Sequence, residues 1–495
     1  MTLSENIGQN THSRHQIIWG EEGQKTLEDA VLLILGSDKL AIDVSMSAAM
    51  LGVGTIYIMG EKKQDNAMFL DMHFDYSTTL ATQLSPMLEK LMQPVKMKKK
   101  YLGIPLKPTL RNLRNFKKNV KKIDGIISTT NNTAEQTEII RFIEETETLH
   151  YLAGVCNETE IKIFGINPKL EKPKTLEVEG KQSFLTTGII SGVLVEEFRK
   201  QLFYKNKDVF RRLKYDKQLG QINILQPERN TSSYFEKVIS EGKMTLDKEI
   251  TLNFIREGKK PWEGNFRNKK ILLVGAGALG NFYSIIMSKL KIARLDVVDF
   301  DIVEPHNIVR QPLLYDAIGK YKSDALSEKI NKIHGRKISK SYRARVVHGK
   351  TQLREFGHDW FEQNKYDLII GATDNYGARS ALNEIAYKQK MIFIDGGTSP
   401  GGGRLITYYP NKTPCLSNFI DLARLVQEEQ RTNQTRSCAF FEASVNMTNQ
   451  IVGNLMAIET LHALNNRPFS GKITYSSFGK RFDYYKVKNE TDCKF

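Results

Sequence analysis

Cysteine is scarce in this chain, with four in 495 residues. So few thiols do not make a disulfide framework, and the expectation is a reducing, cytoplasmic setting. Long apolar runs are missing as well. The longest apolar region, Ala30 to Met59, is broken by Asp38, Lys39 and Asp43, so no stretch is expected to span a bilayer. The opening residues, MTLSENIGQNTHSRHQ, lack the apolar segment of a signal peptide. Aromatics are thin where charge is densest. The segment 96–122, KMKKKYLGIPLKPTLRNLRNFKKNVKK, holds much of a net charge of +16 but has few rings on which bases could stack. The expectation is therefore against nucleic acid, and for an acidic protein partner or a solvated lysine-rich surface.

What is present suits a globular protein of two to four domains, with 40% hydrophobic and 26% charged residues. The organising stretch is Lys269 to Asp301, KKILLVGAGALGNFYSIIMSKLKIARLDVVDFD. A β-rich run, Ile271 to Val274, leads into Gly275, Gly277 and Gly280. An apolar stripe at helical spacing follows (Leu279, Tyr283, Ile286, Met287, Leu290). A second strand, Leu295 to Val298, ends on Asp299. Strand, tight turn, helix and strand at this spacing make a dinucleotide-type fingerprint. Its glycines let backbone N–H groups approach phosphate at a helix N-terminus, and its acid can accept from ribose hydroxyls. The fingerprint alone does not separate NAD from ATP.

The unit occurs twice. Ala30 to Gly60, AVLLILGSDKLAIDVSMSAAMLGVGTIYIMG, aligns Gly36 with Gly275, Asp38 with Gly277, Ala41 with Gly280, Leu51 with Leu290 and Gly60 with Asp299. At nearly the same spacing DGIISTTNNTAEQ, from Asp124, lies over DLIIGATDNYGAR, from Asp367, placing Asn131 on Asp374 and Gln136 on Arg379. The first copy keeps the apolar frame but loses turn glycines and charges that a phosphate or metal needs. The expected fold class is α/β, with two doubly wound Rossmann-type domains packed as an intramolecular pseudodimer. Residues 1–202 form a degenerate half, 203–268 a connector with helices at Tyr234 to Glu241 and Asp247 to Arg256, and 269–495 an active half. That half is expected to contain strands at Asp367 to Gly371, Met391 to Asp395 and Arg404 to Tyr409. A long loop over about 410–442, a helix from Ala443 to Leu464 and a strand from Lys472 to Ser477 complete it.

After Asp299 come DFDIVEPHNIVRQ, GKYK (Gly319 to Lys322), TDN (Thr373 to Asn375) and Arg379. Arg310 and Lys322 can neutralise phosphate oxygens, and Asp374 follows a buried strand, the usual place for an acid that holds Mg²⁺ against phosphates. Hydride transfer needs neither that cation count nor a magnesium acid. With GAGALG and ATDNYGAR these motifs resemble the adenylation domain of ubiquitin-activating enzymes and of their bacterial relatives ThiF and MoeB. SRHQIIWGEEGQKTL, from Ser13, is similar to the family's opening segment.

The resemblance implies that Gly275, Gly277 and Gly280 form the nucleotide loop. It also implies that Asp299, Asn307, Arg310 and Lys322 hold ATP, with Asn375 and Arg379 beside them, and that Asp374 positions Mg²⁺. Arg14 would reach across the pseudo-twofold interface to the phosphates. The implied substrate is the C-terminal glycine of a ubiquitin-like protein, carried next as a thioester on Cys438 to a conjugating enzyme, with Arg436 favouring the thiolate. A pseudodimeric monomer or small oligomer is expected. The compact chain looks most like bacterial ubiquitin-like conjugation systems, some of which serve in antiviral defence.

Relatives often carry zinc in two C-x-x-C pairs. Here only Cys415 stands in the first position, and Tyr475, Ser476 and Ser477 lie near the second, so no zinc is expected. Cys415 is then expected as a relic in the core or a loop, and as the reserve nucleophile behind Cys438, while Cys156 and Cys493 receive no role. Gly396, Gly397 and Gly401 to Gly403 suit either a peptide tail lying against backbone or a plain turn. Lys217 is read as connector surface, and His306 and His348 as surface residues. Other readings stay open: a ThiF-like sulfur-carrier adenylyltransferase, an NAD-dependent dehydrogenase, or a scaffold binding through 96–122.

Overall fold

The computed structural model describes residues 11–63, 68–73, 78–95, 97, 99–146, 150–166, 173–205, 250–347, 355–435, 444–469, 471–477, 481–486 and 493. After helix α1 (Ser13–Glu28), a seven-stranded sheet is built from β1 (Val31–Leu35), β2 (Thr55–Met59), β5 (Lys100–Ile104), β6 (Gly125–Ser128), β7 (His150–Cys156), β8 (Glu160–Ile166) and β9 (Ile250–Asn253). A small hairpin, β3 (Met68–Phe69) and β4 (Met72–His73), stands apart. The sheet order is β5-β2-β1-β6-β7-β8-β9, parallel as far as β7 and antiparallel beyond. Its described helices are α2 (Lys39–Leu51), α3 (Leu80–Leu91), α4 (Leu110–Asn119), α5 (Thr133–Thr146) and α6 (Phe184–Lys205).

The second half repeats the pattern. Its sheet holds β10 (Lys270–Val274), β11 (Arg294–Val298), β12 (Ser341–Tyr342), β15 (Leu368–Gly371), β16 (Ile392–Ser399), β17 (Gly402–Tyr408), β18 (Gly471–Ser476) and β19 (Arg481–Lys486). The order is β12-β11-β10-β15-β16-β17-β18-β19, parallel to β16 and antiparallel after it. A short parallel pair, β13 (Arg345–Val346) and β14 (Glu355–Phe356), lies beside it. Its helices are α7 (Ala278–Met287), α8 (Lys322–His334), α9 (His358–Asn364), α10 (Tyr376–Lys388), α11 (Leu422–Thr435) and α12 (Asn446–Leu464). The central strands VLLIL and KILLV are buried along almost their whole length, as strands covered on both faces must be. The two sheets share one order outward from that central strand, so the repeat read in the sequence is a repeat of fold.

The halves meet helix to helix. α6 packs on α12, and both contact α2 or α7. Small residues permit the approach: a Cβ at Gly188 would lie 2.0 Å from Asn454 Nδ2, and one at Gly192 would lie 2.6 Å from Ile451 Cγ1. The Asn446 side-chain amide donates to the Ser47 carbonyl across the seam at 2.9 Å. No described helix is long and apolar enough to cross a membrane.

Four sequence expectations change. From residue 250 on, the helix expected over Asp247 to Arg256 is replaced by β9, the last strand of the first sheet. Ile250, Leu252 and Phe254 alternate at period two, and Leu252 and Phe254 are buried. The loop expected over 410–442 contains a 3₁₀ turn (Leu416–Asn418) and α11. The apolar stripe of α11, Leu422, Leu425 and Val426, spans a single turn and gives a weak signal. Cys415 is bonded to Cys493, with Cα atoms 5.6 Å apart and 78 residues between them in sequence. Cys415 is fully buried, in keeping with a core relic, and its sulfur is bonded, so it is no reserve nucleophile. His306 is not on the surface but 2% exposed. The helix expected at Tyr234 to Glu241, together with Lys217, His348, Arg436 and Cys438, lies outside the described residues.

Candidate functional site

The loop after β10 shows why three glycines are spaced as they are. Gly275 has φ +102°, and a Cβ there would lie 2.4 Å from the Ala372 carbonyl oxygen. Gly280 lets α7 settle on the turn, because a Cβ would lie 2.1 Å from the Gly275 oxygen. Gly277 is different. Nothing lies within 4 Å of the place its Cβ would take, and it is the N-cap of α7 with no side-chain cap. The first turn of α7 therefore offers its N–H groups toward an open cleft, the arrangement that binds phosphate.

Asp299 closes β11. Its carboxylate accepts from the Ala276 N–H at 2.7 Å and the Asp301 N–H at 2.8 Å. Burial pushes its carboxyl up to about 6, with the Lys322 charge pulling the other way. The chain then turns through a 3₁₀ segment at Pro305–Asn307, where Asn307 Oδ1 accepts from the Glu304 N–H at 2.9 Å. This fixed turn delivers Arg310, which is 9% exposed. Lys322 opens α8 and ion-pairs with Asp301 at 2.8 Å.

Gly275, Gly277, Asp299, Asn307, Arg310 and Lys322 line one cleft of about 1040 Å³, and Arg14 of α1, from the first half, lines it with them. The crowding of cations is felt by His306. Its imidazole is pushed down to about 3 by burial and by Arg310, Arg14 and Lys322, so it is neutral at ordinary pH. Asp374 is exposed on the same cleft, just beyond β15. Asn375 lines it too, but its Oδ1 caps α10 by accepting from the Ala378 N–H at 2.7 Å. Glu429 of α11 completes the cap, accepting from the Tyr376 and Gly377 N–H groups at 3.0 Å.

Arg379 reaches the cleft wall, yet its guanidinium is engaged. It donates to Asp395, to the Gly396 carbonyl at 2.8 Å and to the Thr373 carbonyl at 2.5 Å. The degenerate half keeps the last of these bonds: Gln136 donates to the Thr130 carbonyl at 2.9 Å. Arg379 is thus a brace for the loop that carries Asp374. Gly280 lies behind the loop rather than in the lining.

Sequence reasoning missed Arg404 and Lys472, which line the far wall with Gly401, Gly402 and Gly403. Arg404 shares Asp395 with Arg379, at 2.6 Å. The glycine run was the available signal, since a chain stripped of side chains there makes room over β17.

The corresponding place in the first half is filled. Asp38, in the position of Gly277, caps α2 through the Ala41 N–H at 3.0 Å. Gln182 then donates to Asp38 at 2.8 Å and to the Thr129 carbonyl at 2.9 Å. At Gly60, the counterpart of Asp299, a Cβ would lie 2.4 Å from Ser37 Cβ. The helix N-terminus that one half leaves open is occupied in the other by the protein's own carboxylate.

Residues 247–495 match the model of the ThiF family. The adenylyltransferase and sulfurtransferase UBA4 of Scheffersomyces stipitis is 30% identical over 156 residues, covering 31% of this chain and 33% of that protein. The ubiquitin-like modifier-activating enzyme 5 of Dictyostelium discoideum is 24% identical over 239 residues, 46% of this chain and 61% of the relative. The molybdopterin-synthase adenylyltransferase of Salmonella typhimurium is 25% identical over 233 residues, 46% of this chain and 87% of the relative. The chain thus spans only part of the first two of these. Among solved structures, E. coli MccB with AMPCPP and MccA is 16% identical, with a TM-score of 0.39, covering 68% of this chain and 95% of that one.

Proposed function

This chain belongs to the ThiF family, and on that premise we propose that it is an ATP-dependent adenylyltransferase that activates the C-terminal carboxylate of a ubiquitin-like protein. The observation that carries the proposal is the convergence of Arg14, Arg310 and Lys322 with the uncapped N-terminus of α7 and the two acids Asp299 and Asp374 in one cleft. Three cations and a helix N-terminus suit a triphosphate. A nicotinamide dinucleotide carries less charge and has no use for Asp374.

ATP is a substrate here. Asp299 would accept from the ribose hydroxyls, Asn307 holds the turn that aims Arg310, and Lys322 would exchange Asp301 for a phosphate oxygen. The donor set suits Mg²⁺, with Asp374 the exposed carboxylate that would hold it. When bound, the ion would neutralise phosphate charge. The carrier's carboxylate oxygen attacks the α-phosphorus, the bond to the β-phosphate oxygen breaks, and pyrophosphate leaves with the electron pair. Arg14, Arg310 and Lys322 stabilise charge on the phosphates as that bond breaks. No proton needs to move, which fits a site whose one buried histidine is uncharged.

The acyl group would pass next to Cys438 as a thioester and then to a conjugating enzyme. Mixing the enzyme, ATP, Mg²⁺ and a carrier encoded beside it tests both stages. Carrier-dependent exchange of pyrophosphate into ATP reports the first, and a band shift reversed by thiol reports the second. Asp374→Ala and Lys322→Ala should lower exchange at least about a hundredfold, the scale of losing one preorganised charge at a developing anion. Cys438→Ala should leave exchange intact and abolish the shift. Intact exchange with no thiol-sensitive species in the native enzyme would support the sulfur-carrier reading, which the UBA4 and molybdopterin-synthase relatives favour. Nicotinamide binding without exchange would overturn adenylation.

A further inference from the structure

The far wall of the cleft carries a charge excess that the nucleotide chemistry does not use. Arg379 and Arg404 share a single carboxylate, Asp395, and Lys472 lines the same wall. Lys472 is left over. Among the described residues it makes no ion pair, and its ammonium faces the Tyr485 ring at 5.9 Å. The nearest acid across the ladder, Asp483, is taken by Arg481 at 2.9 Å. Burial, and then repulsion from Arg404, holds the Lys472 amine below its ordinary range. A half-buried cation set beside another, with no counter-charge among the described residues, is an unfavourable arrangement that an incoming anion relieves.

That anion has a place to come from. Gly402 and Gly403 of β17, and Thr474 and Ser476 on the Lys472 face of β18, line the same cleft. Gly402, opposite Ser476, carries no side chain on that face, whereas a Cβ at Gly403 would point to the other face, 2.4 Å from Val452 Cγ2 of α12. On the adenylation reading above, we infer that this strip holds the carrier's extended C-terminal tail and that Lys472, backed by Arg404, selects an acidic side chain on it. The register gives the position. Lys472 pairs with Ile406, Ile406 with Asp395, and Asp395 with Gly371, which puts Lys472 level with the end of β15. Three strand spacings separate them, roughly 14 Å. An extended tail covers that distance in about four residues. The acid therefore stands about four residues before the terminal glycine that reacts beside Asp374.

The test uses synthetic twelve-residue peptides ending in Gly-Gly, identical except for Glu, Gln or Lys at one of positions three to six from the end. Peptide-dependent pyrophosphate exchange is followed with the full-length chain. The Glu peptide at position four or five should show a KM about tenfold below its Lys counterpart, the scale of one partly desolvated charge pair. Lys472→Gln should erase the preference and Lys472→Glu reverse it, while binding of a fluorescent ATP analogue and the melting temperature stay unchanged. Equal KM values for all peptides, or a preference indifferent to Lys472, would overturn the inference and leave adenylation standing. No exchange with any peptide or carrier, despite nucleotide binding, would overturn both.

Discussion

Gly275 and Gly277 sit two residues apart in one motif and answer to different constraints. At Gly275 the backbone is left-handed and a neighbouring carbonyl fills the space, so Gly275→Ala should unfold the loop and lower the melting temperature by several degrees. At Gly277 the space is open, so Gly277→Ala should melt like the native protein but bind ATP at least about tenfold more weakly, because its methyl stands where phosphate must approach. Calorimetry paired with nucleotide titration separates the two. Asp299 adds a pH dependence. Its carboxyl sits at about 6, so nucleotide affinity should fall as pH drops from 7.5 to 5.5 and the acid gains a proton, and Asp299→Asn should bind weakly with a flat profile. The glycines and acids of the nucleotide loop were legible in the sequence because each keeps a local spacing. Lys472 and the Cys415–Cys493 pair were not, because their partners lie on other strands or 78 residues away.

The elements follow the same division. β1, β10 and the helices after them announce themselves by buried runs and glycine turns. β9 does not, because its alternation is short and flanked by charge, and its place is fixed by the open edge of β8. α11 is tied to α10 by Glu429, whose carboxylate caps α10 next to Asp374. A carboxylate at a helix N-terminus is worth about 1 kcal/mol. Glu429→Ala should therefore speed hydrogen exchange across both α11 and the first turn of α10, while exchange in the central strands is unchanged. Protection of α11 equal to that of the native chain would show that its other contacts suffice.

At the scale of the whole molecule, the first half contributes Arg14, the helix seam, and a stock of buried neutral imidazoles. His12 is held at about 4 and His15 well below its ordinary value, both chiefly by burial, while His306 and His462 in the second half stand at about 3. The unfolded chain takes up protons at these four sites below about 6.5 and the folded chain does not, so stability is lost as pH falls through that value. Asp38 and Asp299, raised to about 6, and Glu28 and Asp43, raised chiefly by burial, act in the opposite sense, but the imidazoles free in the unfolded chain titrate higher, at about 6.5, and dominate between pH 7.5 and 5.5. The urea midpoint should be lower at pH 5.5 than at 7.5, and His462→Gln should shrink the difference. The common order of the two sheets was readable from the repeated glycine and apolar spacings, but the seam was not, since it rests on Gly188 and Gly192 meeting Asn454 and Ile451 of another half. One consequence belongs to Asp38. By seating its own acid on the helix N-terminus that the second half leaves open, the first half is a counterweight with a sealed socket. Nucleotide should saturate at one equivalent per chain, and trimming Asp38 to glycine should not raise that stoichiometry while Gln182 remains across the opening.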